Sequence, residues 1–306
     1  MNRLNLLCAL CVSVVNLSAA PTTRQAIERA IPFIEEQGVE WIEKRNCVSC
    51  HRINTMVWSL SLAREKGFGV SEELDEWIDW SVTASFGKND KGKIVGQLNK
   101  EGVAQLLLGL PQLPQAKRTK LAALLPHAQR EDGTWKPGGQ LPGQKRPAAE
   151  TSIVTAQWLA LALAEGPAAD RARNAVGKNH AGQSTEYYAL QLLLTDTLKT
   201  RAAAQQALLQ HQRADGGWGW LTQDPSDALG TGLALYALQR AGLSPESKAA
   251  ARARAFLLRT QAKDGSWPVR GTKAKKKKSI EETATYWGTT WAVIALATGL
   301  PAKGEK

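Results

Sequence analysis

Cys47-Val48-Ser49-Cys50-His51 places two thiols and an imidazole within five residues. C-x-x-C-H is the attachment sequence of c-type haem. Two thiols on one turn add to the two haem vinyl groups, and the adjoining imidazole reaches the iron as proximal ligand. A structural zinc ion needs four ligands and finds three here, with no second Cys/His pair at finger spacing downstream. A thioredoxin-like dithiol needs a βαβ context that this chain lacks. The expectation is therefore one covalent haem c per chain, carried by Cys47 and Cys50 with His51 on the iron. Met56 follows His51 by five residues on the same expected helix, so it cannot reach the opposite porphyrin face and is expected to pack against haem or core. His127, His180 and His211 remain for the sixth position. His180 ranks first because Gly177 and Gly182 flank its loop, and an open site is the alternative.

The elements that position this motif follow from composition and pattern. The chain has 306 residues, 43% apolar, which suffices for one large or two small domains with a real core. Arg3, the apolar run from Leu6 to Val15, and Ser18-Ala19-Ala20 before Pro21 read as a secretory signal over residues 1–20. Cys8 and Cys11 leave with it, so every cysteine of the mature chain sits in the one motif. The expectation is export to the periplasm or beyond, with no later transmembrane segment. Residues 21–306 are read as one domain, with haem-bearing hairpins over 21–98 and repeat hairpins over 99–306. The net charge of +11 is spread along the chain. Nucleic acid is not expected as the partner of an exported protein.

Three segments repeat: Gln129-Arg-Glu-Asp-Gly-Thr-Trp135, Gln212-Arg-Ala-Asp-Gly-Gly-Trp218 and Gln261-Ala-Lys-Asp-Gly-Ser-Trp267. Gly87-Lys-Asn-Asp90 and Gly177-Lys-Asn-His180 form a weaker related pair. With the haem motif, six loops recur along the chain. Between them the periodicity is helical, without convincing period-2 strands. In each pair an amphipathic helix is followed by one that is apolar nearly all round, as at Trp287–Ala297, and a helix apolar on every side must be buried on every side. The pattern predicts an all-α fold. About twelve helices in six hairpins, first helix outer and second inner, close into an (α/α)6 toroid with the haem motif in the first hairpin loop.

The three Q-x-x-x-G-x-W segments resemble the QW motifs of squalene–hopene cyclases and the prenyltransferase/squalene oxidase repeat superfamily. That resemblance implies a structural role for Gln129/Trp135, Gln212/Trp218 and Gln261/Trp267, bracing each turn into the next helix. With C-x-x-C-H in the first hairpin, the chain is similar to the bacterial squalene-cyclase-like proteins that carry a cytochrome motif. The resemblance does not extend to cyclase chemistry. The acidic D-x-D-D string is missing, and neither Asp224-Pro-Ser-Asp227 nor Asp75-Glu-Trp-Ile-Asp79 matches it. No cysteine remains for a prenyltransferase zinc site, and the thioester motif G-C-G-E-Q is absent. Trp58, Trp158, Tyr236, Trp287 and Trp291 on the inner helices are expected to be core.

Six hairpins place their internal loops on one rim. Lys273 and Lys275 to Lys278 fall in the sixth loop, next to the first across the closure, where a basic knob would steer an acidic redox partner by long-range attraction. The resulting expectation is an exported monohaem electron carrier on a toroid scaffold. The alternatives are a haem enzyme with an open iron acting on an apolar substrate, and an interaction scaffold whose C-x-x-C is a disulfide.

Overall fold

The computed structural model describes residues 21–48, 52–138, 141–163, 165–178, 182–276 and 278–301. The secretory segment 1–20, together with Ser49, Cys50, His51, His180 and Lys277, lies outside the described residues.

The described chain is all-α, with isolated β-bridges in place of sheet. Six outer–inner pairs account for it: α1 (Thr23–Arg45) with α2 (Ile53–Glu65), α3 (Leu74–Phe86) with α5 (Lys100–Gly109), α6 (Gln115–Ala122) with α7 (Ala148–Ala162), α8 (Pro167–Gly177) with α9 (Thr185–Leu193), α10 (Leu198–Gln210) with α11 (Ala228–Arg240), and α12 (Lys248–Thr260) with α13 (Glu282–Thr298). The thirteenth helix, α4 (Val95–Leu98), is a single turn leading into α5. Periodicity over so short a segment carries no signal, which is why twelve helices were expected.

The inner helices form a closed ring, α2–α5–α7–α9–α11–α13 and back to α2. Burial separates the two layers as the pattern predicts. In α13 every residue from Ala284 to Ala297 is buried, whereas outer α12 buries the stripe Ala250, Ala253, Phe256, Leu257. The barrel axis is filled by rings that meet edge-on or tilted. Trp291 lies 5.3 Å from Trp58, 5.6 Å from Tyr236 and 6.0 Å from Trp158 between ring centroids. Aromatic pairs of this geometry contribute about 1 kcal/mol each beyond their burial.

Each repeat glutamine joins two hairpins. Gln129 Nε2 donates to the Gly133 and Ala168 carbonyls at 3.0 and 2.9 Å. Gln212 does so to Gly216 and Ala249 at 2.8 and 2.9 Å. Gln261 donates to Gly265 and Ala26 at 2.9 and 2.8 Å. The second acceptor always lies in the first turn of the next outer helix, so the Gln261–Ala26 bond closes the ring. Trp218 and Trp267 are buried and donate Nε1 to Leu208 and Leu257 carbonyls. The aspartate of each repeat also works. Asp132, Asp215 and Asp264 each accept the backbone N–H two residues on, an Asx turn that sets up the left-handed glycine.

No described helix is long and apolar enough to cross a membrane.

Candidate functional site

All six inner helices begin on the rim that carries the hairpin loops, and a charged residue stands at or near the start of each: Arg52, Glu101, Glu150, Glu186, Asp227 and Glu282. Carboxylates suit helix N-termini, where the macrodipole and free N–H groups favour anions. Glu150 accepts from the Gln183 and Ser184 amides at 2.9 and 2.8 Å, tying the start of α7 to the start of α9.

Two loops from opposite sides of the ring meet over this mouth. Gln144 and Lys273 form an antiparallel bridge, flanked by Lys145 N to Thr272 O at 2.8 Å and Ala274 N to Gly143 O at 3.1 Å. Beside this seam lies a cleft of about 490 Å³ lined by Lys145, Asp224, Ser226, Asp227, Arg270 and Lys278. Three hairpin loops contribute to it. Asp224 is ion-paired with Lys145. Asp227 caps α11: Oδ1 accepts the Gly230 amide at 2.7 Å and Oδ2 the Trp220 amide at 2.8 Å. Burial raises its pKa to about 6, against the pull of those two amides and of Lys145. The cleft thus holds two carboxylates in different environments, one fixed by a cation and one poised to hold a proton near neutrality.

A buried polar network lies behind the cleft. Arg146 and Lys145 sit over the Trp220 ring, 5.4 and 5.6 Å from its centroid. Arg146 Nη1 donates to Glu186 at 2.6 Å and Nε to Thr151 at 3.2 Å. Glu186 also accepts Trp158 Nε1 at 2.8 Å. Glu101 accepts the Thr155 hydroxyl. Burial, with Glu186 nearby, raises the Glu101 pKa to about 8 despite Arg146.

Of the expected haem site, Cys47 is described. It is exposed, and its carbonyl accepts Trp41 Nε1 at 2.9 Å. The left-handed Asn46 (φ 44°) ends α1 and turns the chain into the motif. Arg52, directly after His51, is buried between the Trp41 and Tyr286 rings, 4.6 Å from each centroid, and donates to the Gln37 carbonyl at 3.1 Å. Met56 is fully buried with its sulfur against Gly38 of α1. Among the other histidines, His127 is exposed in the turn after α6, and His211 lies 4.6 Å from the Tyr188 ring with its pKa lowered by burial. Of the lysine run, Lys273 is held in the bridge to Gln144 and Lys278 lines the cleft. The sequence named Asp224 and Asp227 only as a failed cyclase motif, and it did not single out Lys145, Arg146, Glu101 or Glu186. Chain spacing carries no signal for a cleft assembled from three loops.

The Squalene-hopene cyclase N-terminal domain family matches residues 179–264, the stretch holding α9 to α12. Among curated proteins none matches in sequence. A glycosyl hydrolase family 88 protein from Bacteroides vulgatus has the same architecture, with TM-score 0.56 at 11% identity over 91% of this chain and 99% of its own. A protein from Actinoplanes gives 0.58 at 15% identity over 91% and 99%. The unsaturated glucuronyl hydrolase responsible for degradation of glycosaminoglycan in Bacillus sp. GL1 gives 0.54 at 13% over 90% and 96%. At these identities the shared property is the fold. The chain is an α/α toroid.

These relatives correct the expectation of an exported cytochrome. The toroids it superposes on include a glycosyl hydrolase family 88 protein and unsaturated glucuronyl hydrolases, with no cytochrome among those named. His127 lies in the turn after α6 and His211 caps the end of α10. The haem-based electron-transfer reading falls, and so do its alternatives, the open-iron haem enzyme and the disulfide scaffold. With the electron-carrier reading goes the support for an acidic redox partner at Lys273 and Lys275–Lys278.

Proposed function

We propose that this toroid hydrolyses a glycosidic bond in an acidic saccharide, with the cleft at the start of α11 as its active site. The observation that carries the reading is the pair Asp224 and Asp227 in one open cleft, in contrasting environments, ringed by Lys145, Arg270 and Lys278. The glycoside hydrolase and glucuronyl hydrolase toroids support the reaction class by analogy of fold. The three cations suit a uronate carboxylate. Protonated Asp227 donates its proton to the glycosidic oxygen as the C–O bond breaks. Asp224, ion-paired with Lys145, orients the water whose oxygen joins the anomeric carbon, and the water proton returns to the carboxylate pair.

The test uses unsaturated glucuronyl disaccharides and other uronate oligosaccharides as substrates. Asp227→Asn keeps one oxygen to cap α11 but sets its NH2 against the Trp220 amide and cannot donate a carboxylic proton. Its kcat is expected to fall about 100-fold or more, measured at a temperature where its melt shows it folded. The descending limb of kcat/KM is expected near pH 6. The reading fails if no acidic saccharide is turned over, or if Asp227→Asn is as active as the parent.

The Cys47–His51 motif supports a separate proposal. Cys47 and Cys50 attach one haem c and His51 binds its iron, with no electron-carrier role assigned. Such a group supplies redox or ligand-binding chemistry when bound. Expression with cytochrome maturation proteins, followed by a pyridine spectrum of denatured protein, decides it: retained haem, lost in Cys47→Ala/Cys50→Ala, supports attachment, and none retained beside a maturing control removes it. Residues 1–20 support export in the same sense, tested by N-terminal sequencing of the mature protein.

A further inference from the structure

The opposite mouth of the barrel, where the inner helices end, holds a cavity of about 720 Å³. Its floor is made by Trp58 and Tyr236, edge to face with centroids 5.5 Å apart. Polarity changes from floor to brim along two helices. On α2 the face runs Trp58, Leu62, Lys66, and on α11 it runs Tyr236, Arg240. These are steps of four residues, so each series climbs one face of its helix. The floor is apolar, and the brim carries Lys66 and Arg240 beside the single acid Glu65, Arg64 being ion-paired with Asp75.

Ser61 adds an independent sign of a ligand. It lines this cavity, is 8% exposed, and its hydroxyl has no hydrogen-bond partner among the described residues. Other buried helical serines here bond back to a carbonyl in the preceding turn, as Ser59, Ser81 and Ser85 do. A buried hydroxyl left without a partner costs about 1–3 kcal/mol, and a ligand group in the cavity would supply one. Charge sign follows from magnitudes. Each inner-helix C-terminus contributes about half a negative charge that fades within a turn, and among the side chains of the brim Lys66 and Arg240 outnumber Glu65.

We propose that this mouth binds an amphipathic organic anion, its apolar body on Trp58, Tyr236 and Leu62 and its carboxylate between Lys66 and Arg240, with the Ser61 hydroxyl as an additional donor. The site lies on the rim opposite the cleft and does not depend on the hydrolase reading.

Calorimetric titration of the full chain with dodecanoate tests it, with dodecyltrimethylammonium as the cation of equal chain length. Saturable one-to-one binding of dodecanoate is expected, with the ammonium at least tenfold weaker. Leu62→Trp fills the cavity and is expected to weaken dodecanoate at least tenfold. Arg240→Gln, an exposed change that leaves packing alone, is expected to weaken it about fivefold, or about 1 kcal/mol. Absence of dodecanoate binding, equal binding of the ammonium, or unchanged affinity in Arg240→Gln overturns the proposal. The Arg240 variant keeps the test open if Leu62→Trp fails to fold.

Discussion

Two glycines with nearly the same backbone conformation separate the cost of ring closure from the cost of a left-handed residue. Gly242, after α11, has φ +92° and open space where a Cβ would stand. Gly265, in the third repeat, has φ +87°, and a Cβ there would lie 1.9 Å from the Arg29 carbonyl oxygen of α1. Gly242→Ala therefore carries only the left-handed penalty, about 1–2 kcal/mol. Gly265→Ala carries the same penalty and must also drive α1 away from the turn by about an ångström. That movement breaks the Gln261 bond to Ala26, worth about 1 kcal/mol, and opens well-packed contacts, for a total of about 3–5 kcal/mol. At roughly 2 °C per kcal/mol for a chain of this size, thermal midpoints should fall about 2–4 °C for Gly242→Ala and about 6–10 °C for Gly265→Ala. Far-UV circular dichroism melts at one scan rate read the difference. Equal shifts in the two variants would refute the reasoning, because they would mean that no backbone contact between the sixth and first hairpins stands behind Gly265.

Arg146→Met leaves Glu186 buried beside Trp158 without its cation and should cost about 3–5 kcal/mol in urea unfolding. Adding Glu186→Leu should recover much of that loss. Glu101 has a folded pKa raised to about 8 from 4.5, so between those values the unfolded chain binds fewer protons and stability falls as pH rises, most of the way from pH 4.5 to 8. Urea midpoints at pH 5 and 8 should show that fall in the parent and a smaller one in Glu101→Gln. Trp218→Phe removes the Nε1 bond to the Leu208 carbonyl and shrinks a fully buried ring, and should lower stability by about 2–3 kcal/mol.

The toroid was legible because two local properties suffice to specify it. Helices with one apolar face alternate with helices apolar all round, and a seven-residue turn motif recurs at hairpin spacing. The structure adds a residue the pattern did not distinguish, the aspartate that precedes each repeat glycine and accepts a backbone amide. The site was much less legible. Lys145, Asp227 and Arg270 are far apart in sequence, and they meet only because opposite loops pair across the mouth at Gln144 and Lys273. Nothing in the local composition of either loop specifies that pairing. C-x-x-C-H, by contrast, is a compact motif whose meaning can be read without tertiary structure. That clarity gave it weight in the functional expectation beyond what a motif confined to one hairpin turn supports.

Asp227 and Glu101 both stand at the starts of inner helices, where the dipole lowers a carboxyl pKa, yet both are raised. The magnitudes explain the inversion. A helix terminus favours an exposed anion by about 0.3–1 kcal/mol, whereas desolvation of a buried carboxylate amounts to up to 3–5 pKa units, several kcal/mol at 1.36 kcal/mol per unit. Both carboxyl groups are desolvated by burial, Asp227 in the cleft beside the seam between the third and sixth loops, and desolvation outweighs the dipole. The two residues then differ by what else they meet. Glu101 faces Glu186 and is pushed to about 8, while Asp227 takes two backbone amides and feels Lys145, which hold it near 6. Loosening the seam should therefore lower the Asp227 value. Gly143→Pro would be a poor probe, since Gly143 contributes its carbonyl to the bridge, whereas Ala274→Pro removes the N–H that donates to that carbonyl. In Ala274→Pro the pH at which hydrolysis declines should move below 6. If that limb stays at 6 while the seam is shown by hydrogen exchange to have opened, water exclusion by the loops is not what raises Asp227.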